Sequence, residues 1–334
     1  MSKKLIIGII IVFVLAGVGG YYFLTQRTAT QKVYRVGILS GLDAFADTAD
    51  GFKQKMTELG YVEGKNIVYD FEKTNVNPAE EQRIVKKFVD DKVDLIFAFP
   101  TSPAVTAKTV TEGTSIPVVF ANAMIEGSNI IESVRQPGGN ITGVRFPASE
   151  TTLKRFEFLH ELVPKAERIY APYDKNYPGI SYALDALYKE ASSLNITLVE
   201  APVATLDELK ADLNMRSASK DIGVDAILIM TTLLTAGPDG FNAINEFAAK
   251  YKLAVGGSTN NNADMGAVFS YIPQNVDFGR LAAPLADKIF KGTPAGTIPV
   301  VSPEAYLRIN YKKAQELGLT VSEGLLNMAD EIIR

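Results

Sequence analysis

The sequence predicts an α/β fold with two lobes, each a doubly wound parallel sheet, joined by a multi-strand hinge and preceded by one N-terminal transmembrane helix. The chain has 334 residues, more than the usual size of one compact domain. Short apolar runs alternate with amphipathic helical segments, the order typical of parallel sheets with right-handed crossovers. Near the N-terminus, Leu5 to Leu24 form a stretch without a charged residue.

The N-terminal stretch is long enough to cross a bilayer as a helix. Lys3 and Lys4 precede it, and the aromatic run Tyr21–Phe23 falls where an interfacial belt would lie. We therefore expect an anchor in the cell membrane, with the rest of the chain outside the cytoplasm. A cleavable signal peptide, which would leave a secreted or periplasmic protein, is the alternative. Residues 1–32 are assigned to this segment and a short polar stalk.

A first βα series follows the stalk. Its strands are predicted from short apolar or alternating runs at 33–39, 67–71, 95–99 and 117–121. Its helices are predicted from apolar residues at helical spacing at 44–59, 78–89 and 103–112. Asp43 is a candidate cap for the first of these helices.

A change of lobe is predicted at Pro137–Pro147, which holds three glycines and two prolines around a short strand. A second series then repeats the architecture. Its predicted helices are 150–162, 180–194, 207–217 and 238–251, and its strands are 168–171, 197–201, 226–230, 253–255 and 266–271. The last segments are a helix at 276–290 and a short helical tail within 317–333. We assign 33–144 with 275–300 to lobe 1, and 145–274 with 301–334 to lobe 2.

The stretch Asp94–Pro103 is the strongest local indication of a site. It is a buried strand followed by a polar loop and a helix. Ligands of open parallel sheets collect at the carboxyl ends of the strands, where Thr101 and Ser102 are predicted to lie. The alternative is a structural βα turn in which Ser102 caps the helix.

Composition argues against several classes of protein. The net charge is −4, and no basic run suggests a nucleic-acid surface. There is no cysteine, so disulfides, thiolate metal sites and cysteine nucleophiles are excluded. The single histidine, His160, has no apparent catalytic partners, and no Gly-rich phosphate loop or metal-ligand spacing occurs. We predict neither an enzyme nor a cofactor or metal site.

Three motifs carry a resemblance to a known family: Glu58–Asn66, Pro137–Gly143 and the tail Leu317–Ile332. Together they resemble the ABC-transporter substrate-binding proteins that include tryptophan- and tyrosine-type members, over about residues 33–333. The resemblance implies a type I periplasmic-binding-protein fold. It also implies that the chain captures a small organic ligand and delivers it to an ABC permease, and we expect a monomer. A ligand-sensing receptor with a membrane signalling partner is the alternative.

The family holds its ligand between the lobes, in loops that follow strands. Carried onto this chain, the resemblance and the polar or aromatic residues in those loops give the candidate ligand-binding residues Ser40, Asp43, Phe45, Thr101, Ser102, Asn122, Asn176, Tyr177, Thr231, Thr232, Ser258, Tyr271 and Gln274. Asn122 follows an apolar strand, so it needs a polar partner, either ligand or backbone. The run Asn260–Asn262 is interpreted as a turn, and Asp277 as a helix cap.

The chain departs from the family at positions that commonly hold acidic residues. Met124, the pair Thr232–Leu233 and Gln274 stand there instead. Fewer carboxylates leave less to hold an ammonium group. The ligand is therefore expected to be amino-acid-like or more apolar than an amino acid.

Overall fold

The structure, a computed structural model, describes residues 32–177 and 179–334. The predicted membrane segment Leu5–Leu24 lies outside the described residues. Within the described ranges, no helix combines the length and the apolar character that a membrane span requires.

The first sheet contains five parallel strands. They are β1 (Tyr34–Ser40), β2 (Ile67–Lys73), β3 (Leu95–Phe99), β4 (Val118–Ala123) and β5 (Ile141–Arg145). Their order across the sheet is β2–β1–β3–β4–β5. Strands β3 and β4 are buried along their whole length, because helices cover both faces of a parallel sheet. The helices between these strands are α1 (Asp47–Glu58), α2 (Pro78–Asp90) and α3 (Thr101–Thr111).

The second sheet contains seven strands. They are β6 (Arg168–Asp174), β7 (Thr197–Val203), β8 (Ala226–Leu228), β9 (Ala254–Gly257), β10 (Phe269–Ile272), β11 (Tyr306–Asn310) and β12 (Glu331–Ile333). The parallel strands β7–β6–β8–β9–β10 repeat the order of the first sheet. Strand β11 joins β10 antiparallel, and β12 lies at the edge. The prediction of two parallel-sheet lobes is confirmed.

The remaining helices cover the second sheet or return to the first. They are α4 (Ala148–Leu162), α5 (Ile180–Ser193), α6 (Leu206–Ala218), α7 (Leu233–Ala236), α8 (Pro238–Tyr251), α9 (Asn260–Asp264), α10 (Asn275–Phe290), α11 (Tyr311–Glu316) and α12 (Glu323–Met328). Two apolar clusters lie on opposite faces of each sheet. Each lobe therefore has its own core.

Three segments cross between the sheets. The first joins β5 to α4, and the second joins β10 to α10. The third runs beside β5 before it enters β11: the Val301 amide donates to the Gly143 carbonyl (3.1 Å), and the Arg145 amide donates to the Val301 carbonyl (2.9 Å). Three chain segments therefore form the hinge that connects the two lobes.

Helix α10 follows a strand of the second sheet but packs along α1 of the first lobe. The two helices approach so closely that a Cβ on Gly279 would lie 1.9 Å from the Thr48 carbonyl oxygen. A Cβ on Gly51 would lie 2.1 Å from the Val276 carbonyl oxygen. Only glycine is small enough at these two positions, and the contact fixes α10 onto the first lobe.

Some local predictions are wrong. The tail is not wholly helical, because β12 pairs with β11 and Glu331 forms an ion pair with Arg308 (2.8 Å). The asparagine run 260–262 is not a simple turn but the start of α9, which Thr259 and Asn262 cap reciprocally. Asp43 does not cap a helix, because it lies in a separate 3₁₀ turn before α1. Tertiary pairing overrides the local pattern at the tail.

The close packing of α10 on α1 predicts the effect of adding one methyl group. Gly279→Ala places that methyl against the backbone of α1, so we expect a loss of roughly 3 kcal/mol or more in the free energy of unfolding. Urea unfolding followed by circular dichroism measures the loss.

Gly324→Ala in α12 is the matched control, because the nearest atom to its added Cβ, Ser322 Oγ, is 3.6 Å away. Alanine is the better helix former, so this variant should be neutral or more stable by up to about 1 kcal/mol. Equal stabilities for the two variants would contradict the close helix contact.

Candidate functional site

The carboxyl ends of the two sheets meet at a small, partly enclosed cavity, which we call the closed cavity. It has a volume of about 10 Å³, roughly the room that one water molecule needs. Its lining comes from both lobes and from the β5–α4 crossing: Met124, Phe146, Ala148, Thr152, Tyr177, Gly179, Ile180, Ala183, Met230 and Thr231. The lobes are therefore closed on each other, and the space between them is mostly apolar.

Met124 is the side chain that closes the cavity from the first lobe. It follows β4 and is 6 % exposed. A Cβ on Gly179, which precedes α5 in the second lobe, would lie 2.3 Å from Met124 Cε. The Thr101 hydroxyl accepts a hydrogen bond from the Met124 amide (3.1 Å) and so holds this loop in place. Met124 and Gly179 form a direct contact between the lobes.

Tyr177 closes the cavity from the opposite lobe. It follows β6, yet its ring packs against the apolar cluster of the first lobe. Burial raises the pKa of its phenol, so the hydroxyl is neutral at physiological pH. The ring thus adds an uncharged wall to the cavity.

Arg155 on α4 stands behind the polar part of the cavity wall and is fully buried. Its Nη2 donates to the hydroxyls of Thr152 (3.0 Å) and Thr231 (2.8 Å), and both threonines line the cavity. Its Nη1 donates to the Tyr271 carbonyl (3.3 Å). Its Nε has no hydrogen-bond partner.

The Arg155 guanidinium has no carboxylate partner among the described residues; its three hydrogen bonds go to two hydroxyls and one carbonyl. Burial lowers its pKa to about 9, so it still carries its charge at neutral pH. A buried cation without a counter-ion is costly, because hydroxyls and carbonyls only partly replace the water that it has lost.

A second, open cavity of about 400 Å³ lies at the hinge. Its lining residues are Arg145, Pro147, Glu150, Thr151, Tyr271, Ser302, Pro303, Glu304 and Ala305. Arg145 forms ion pairs with Glu126 (3.2 Å) and Glu150. The carbonyl of Tyr271 accepts the hydrogen bond from Arg155 Nη1.

A comparison with known families decides what the chain is. The model of the family described as ABC transporter substrate binding protein matches residues 35–333. The chain belongs to this family. Its function is that of a substrate-binding protein for an ABC transporter, and the resemblance noted in the sequence is confirmed.

Individual relatives agree with this assignment. A tyrosine-binding protein of Clostridioides difficile (strain R20291) is 26 % identical over 318 residues, covering 90 % of this chain and 88 % of the relative. A solved structure of an ABC domain in complex with L-Trp from Streptococcus pneumonia has a TM-score of 0.75 at 23 % identity, covering 90 % and 100 % of the two chains.

The ligand-free, open structure of a substrate binding protein with adhesive properties from Clostridium difficile has a TM-score of 0.74 at 23 % identity, covering 90 % and 99 % of the chains. These solved structures establish that the substrate-binding protein has the predicted two-lobe fold.

The substrate-binding protein brings only some of its predicted ligand residues together. Tyr177 and Thr231 line the closed cavity. Tyr271 lines the open one, and its ring packs edge-on against Phe158 (centroids 5.3 Å apart). Thr101 does not line the closed cavity, but its hydroxyl accepts a hydrogen bond from the amide of Met124, which does.

Ser102 is engaged away from the cavity. Its hydroxyl donates to the carboxylate oxygens of the fully buried Glu81 (2.9 and 3.0 Å), as does the hydroxyl of Thr106 (2.7 Å). Capping by Ser102 is not observed, because α3 begins one residue earlier, at Thr101, and has no side-chain cap. Its role in ligand binding stays a prediction.

Among the described residues, the partner of the Asn122 side chain is another side chain, and its role in ligand binding stays a prediction. Its Nδ2 donates to Asn275 Oδ1 (3.0 Å), and Asn275 Nδ2 donates to the Ala44 carbonyl (2.7 Å). Asn122 also has a positive φ of 50°, which asparagine tolerates better than most residues. The pair attaches the start of α10 to β4 and to the 3₁₀ turn before α1.

The other first-lobe candidates have contacts of their own. The Ser40 hydroxyl is 3.5 Å from the Leu42 carbonyl, and Asp43 forms an ion pair with Lys73. Phe45 packs against the first-lobe core. None of the three lines the closed cavity, and their roles in ligand binding stay predictions.

Two second-lobe candidates stabilise their own loops. Asn176 is exposed, and its amide donates to Asp174 Oδ1 (2.8 Å). The Thr232 and Thr235 hydroxyls share a buried hydrogen bond of 2.8 Å. These local bonds leave their contact with a ligand as a prediction.

Two further candidates retain unused polar groups. The Ser258 hydroxyl is buried without a hydrogen-bond partner. Gln274 occupies the N-cap position of α10, but its side chain forms no cap bond. Asp277, interpreted from the sequence as a cap, also forms none, and its Oδ2 is buried without a partner.

Sequence reasoning missed Arg155 and most of the apolar wall. A signal for Arg155 exists: it lies on the buried stripe of α4 with Thr152, Leu159 and Leu162, at helical spacing. An arginine on such a stripe indicates a buried charge, which is rare without a partner. From the sequence, Met124 stands out only as a position where the family commonly has an acidic residue. Its orientation towards the cavity depends on the hydrogen bond from its amide to Thr101, which the sequence does not reveal.

The contact between Met124 and Gly179 predicts that a larger residue at position 179 separates the lobes. In Gly179→Leu the new side chain takes the space of the Met124 methyl group, so we expect a larger radius of gyration than in the wild type. Small-angle X-ray scattering measures the change.

Gly113→Leu is the matched control. Gly113 has nearly the same backbone angle (φ +77° against +78°), but no atom lies within 4 Å of its added Cβ. Both variants carry a backbone strain of about 1–2 kcal/mol. If both scatter as the wild type does, Met124 and Gly179 do not control closure.

Proposed function

We propose that this protein captures a small organic ligand, amino-acid-like or more apolar, outside the cytoplasm and delivers it to an ABC permease. The observation that carries the proposal is the closed cavity between the lobes, lined from both sides. Ligand clefts of this kind bury most of a small molecule, and closure follows when the ligand binds the closed state more tightly than the open one.

The cavity must grow before it can hold a ligand. Pockets for small molecules usually measure about 300–1,000 Å³, and the closed cavity is far smaller. Met124 is flexible and unbranched, so it can swing away when the lobes separate. Met124 and Tyr177 then form the two walls between which an apolar ligand body is held.

Relatives point to the class of ligand. The names of two similar proteins state that one binds tyrosine and that the other was solved with L-Trp. The apolar lining and the neutral Tyr177 ring suit an aromatic or aliphatic body of this kind. None of the described residues that line the closed cavity is acidic, which favours a ligand less dependent on an ammonium group.

The N-terminal stretch Leu5–Leu24 supports attachment to the membrane by one helix, with the lobes outside the cytoplasm. Such an anchor keeps the binding protein close to its permease. Membership of a transport family supports delivery to a permease over the alternative of ligand sensing. The function requires no chemical step, cofactor or metal.

A thermal-shift screen of the full-length protein tests the proposed function. We expect compounds with an aromatic or aliphatic body and an amino-acid-like head to raise the melting temperature, because they stabilise the folded state by about 2.7 kcal/mol at a hundred times their Kd. Sugars, nucleosides and short polar peptides are the comparison classes.

Gly113→Leu should respond to the same compounds as the wild type, and Gly179→Leu should respond less. If no small molecule of any class raises the melting temperature, the proposed binding function is rejected.

A further inference from the structure

The strongest unexplained feature outside the known family motifs is the buried side chain of Arg155. A guanidinium has five N–H groups in a planar fork. Three of them are used in bonds to Thr152, Thr231 and the Tyr271 carbonyl. The Nε–H group, which is fully buried, has no partner.

Three other arginines of the chain have carboxylate partners. Arg168, Arg216 and Arg308 are all more exposed than Arg155, and each forms an ion pair with at least one carboxylate. Water can stabilise an exposed cation, but the Arg155 side chain is buried and has no counter-ion among the described residues. Arg155 is therefore the arginine whose charge is most costly to leave unpaired, and no described residue supplies an anion for it.

The position of Arg155 indicates where the anion comes from. Thr152 and Thr231 both line the closed cavity, and the hydroxyls of both accept hydrogen bonds from the guanidinium. A ligand that reaches the two threonines is therefore within one layer of side chains of the charge. The rest of the cavity wall is apolar and has no acidic residue among those described.

We propose that Arg155 is the counter-ion of a carboxylate on the ligand, reached directly or through the Thr152 and Thr231 hydroxyls. This inference rests on the proposed function and names its ligand class: a small carboxylic acid with an apolar body, for which an ammonium group is not required. A guanidinium fork matches a carboxylate in shape as well as in charge.

A purely structural role is the competing explanation. Arg155 links α4 to the loop that carries Thr231 and to Tyr271 in β10, and its role would then be only to hold them. The two explanations differ in one measurable respect. A structural arginine affects acids and their neutral amides equally, whereas a counter-ion affects only the acids.

The experiment compares acids with their primary amides by isothermal titration of the full-length protein. The probes are indole-3-propionate with indole-3-propionamide, and L-tryptophan with L-tryptophanamide. In the wild type we expect each acid to bind about 10- to 100-fold more tightly than its amide, as charge-assisted bonds to a buried group predict. Indole-3-propionate should bind at least as tightly as L-tryptophan.

Substitutions then assign the preference to Arg155. Arg155→Gln should reduce the ratio of acid to amide affinity to near one, while Arg155→Lys, which keeps the charge, should retain part of it. Arg216→Gln is the matched control: it removes an arginine of the same lobe that is paired with Asp212 (2.8 Å), and it should keep the full ratio. If Arg155→Gln does not fold, the comparison of Arg155→Lys with the wild type decides, because a lysine must lower the ratio.

The outcomes separate this inference from the proposed function. Amides that bind as tightly as their acids overturn the inference and leave the binding function intact. An acid preference that survives unchanged in Arg155→Gln, or in Arg155→Lys if the glutamine variant does not fold, also overturns it. If neither acids nor amides bind, the inference is rejected for indole ligands, and the thermal-shift screen alone decides whether the proposed function holds.

Discussion

The return of the chain to its first lobe through α10 is the constraint on which the rest of the structure depends. Gly51 and Gly279 let α1 and α10 approach to backbone contact. The contact anchors a helix that starts at the end of β10, a strand of the other sheet. Asn275, at the start of α10, adds polar bonds to Asn122 and Ala44. The two sheets are thereby held with their carboxyl edges facing each other, which creates the cleft.

Closure of this cleft places one charge and several apolar side chains in the same dry space. Met124 and Tyr177 exclude water, and Arg155 behind them is left with hydroxyl and carbonyl partners only. In a medium of low dielectric constant, an anion interacts with such a cation far more strongly than in water. Closing the lobes therefore increases the attraction for a carboxylate, and a carboxylate in turn favours the closed state.

The fold was largely predictable from the sequence because its signals are local. Strand β3 and helix α8 have the predicted bounds, since an apolar run and a helical stripe each specify an element directly. Strand β12 was not predicted, because it exists only through pairing with β11.

The candidate site was predictable only as a set of loops. The direction in which a side chain points depends on partners elsewhere in the chain: Ser102 donates a hydrogen bond to Glu81, and Asn122 donates one to Asn275. Arg155 was missed for the same reason, because its partners come from α4, from the loop after β8 and from β10. The order of strands and helices along the sequence predicts that the site lies at the carboxyl edge of the sheets, but it does not predict these side-chain contacts.

Lobe closure over a ligand can be measured directly, because the chain has no cysteine of its own. Asp47→Cys and Asp239→Cys introduce one label in each lobe, at exposed positions where helices follow strands of the two sheets. We predict that the free protein exchanges between open and closed lobes, and that titration with the most stabilising compound of the thermal-shift screen increases the fraction of molecules with the short label distance, as followed by single-molecule energy transfer. A fraction that stays the same when the protein is saturated would contradict this prediction.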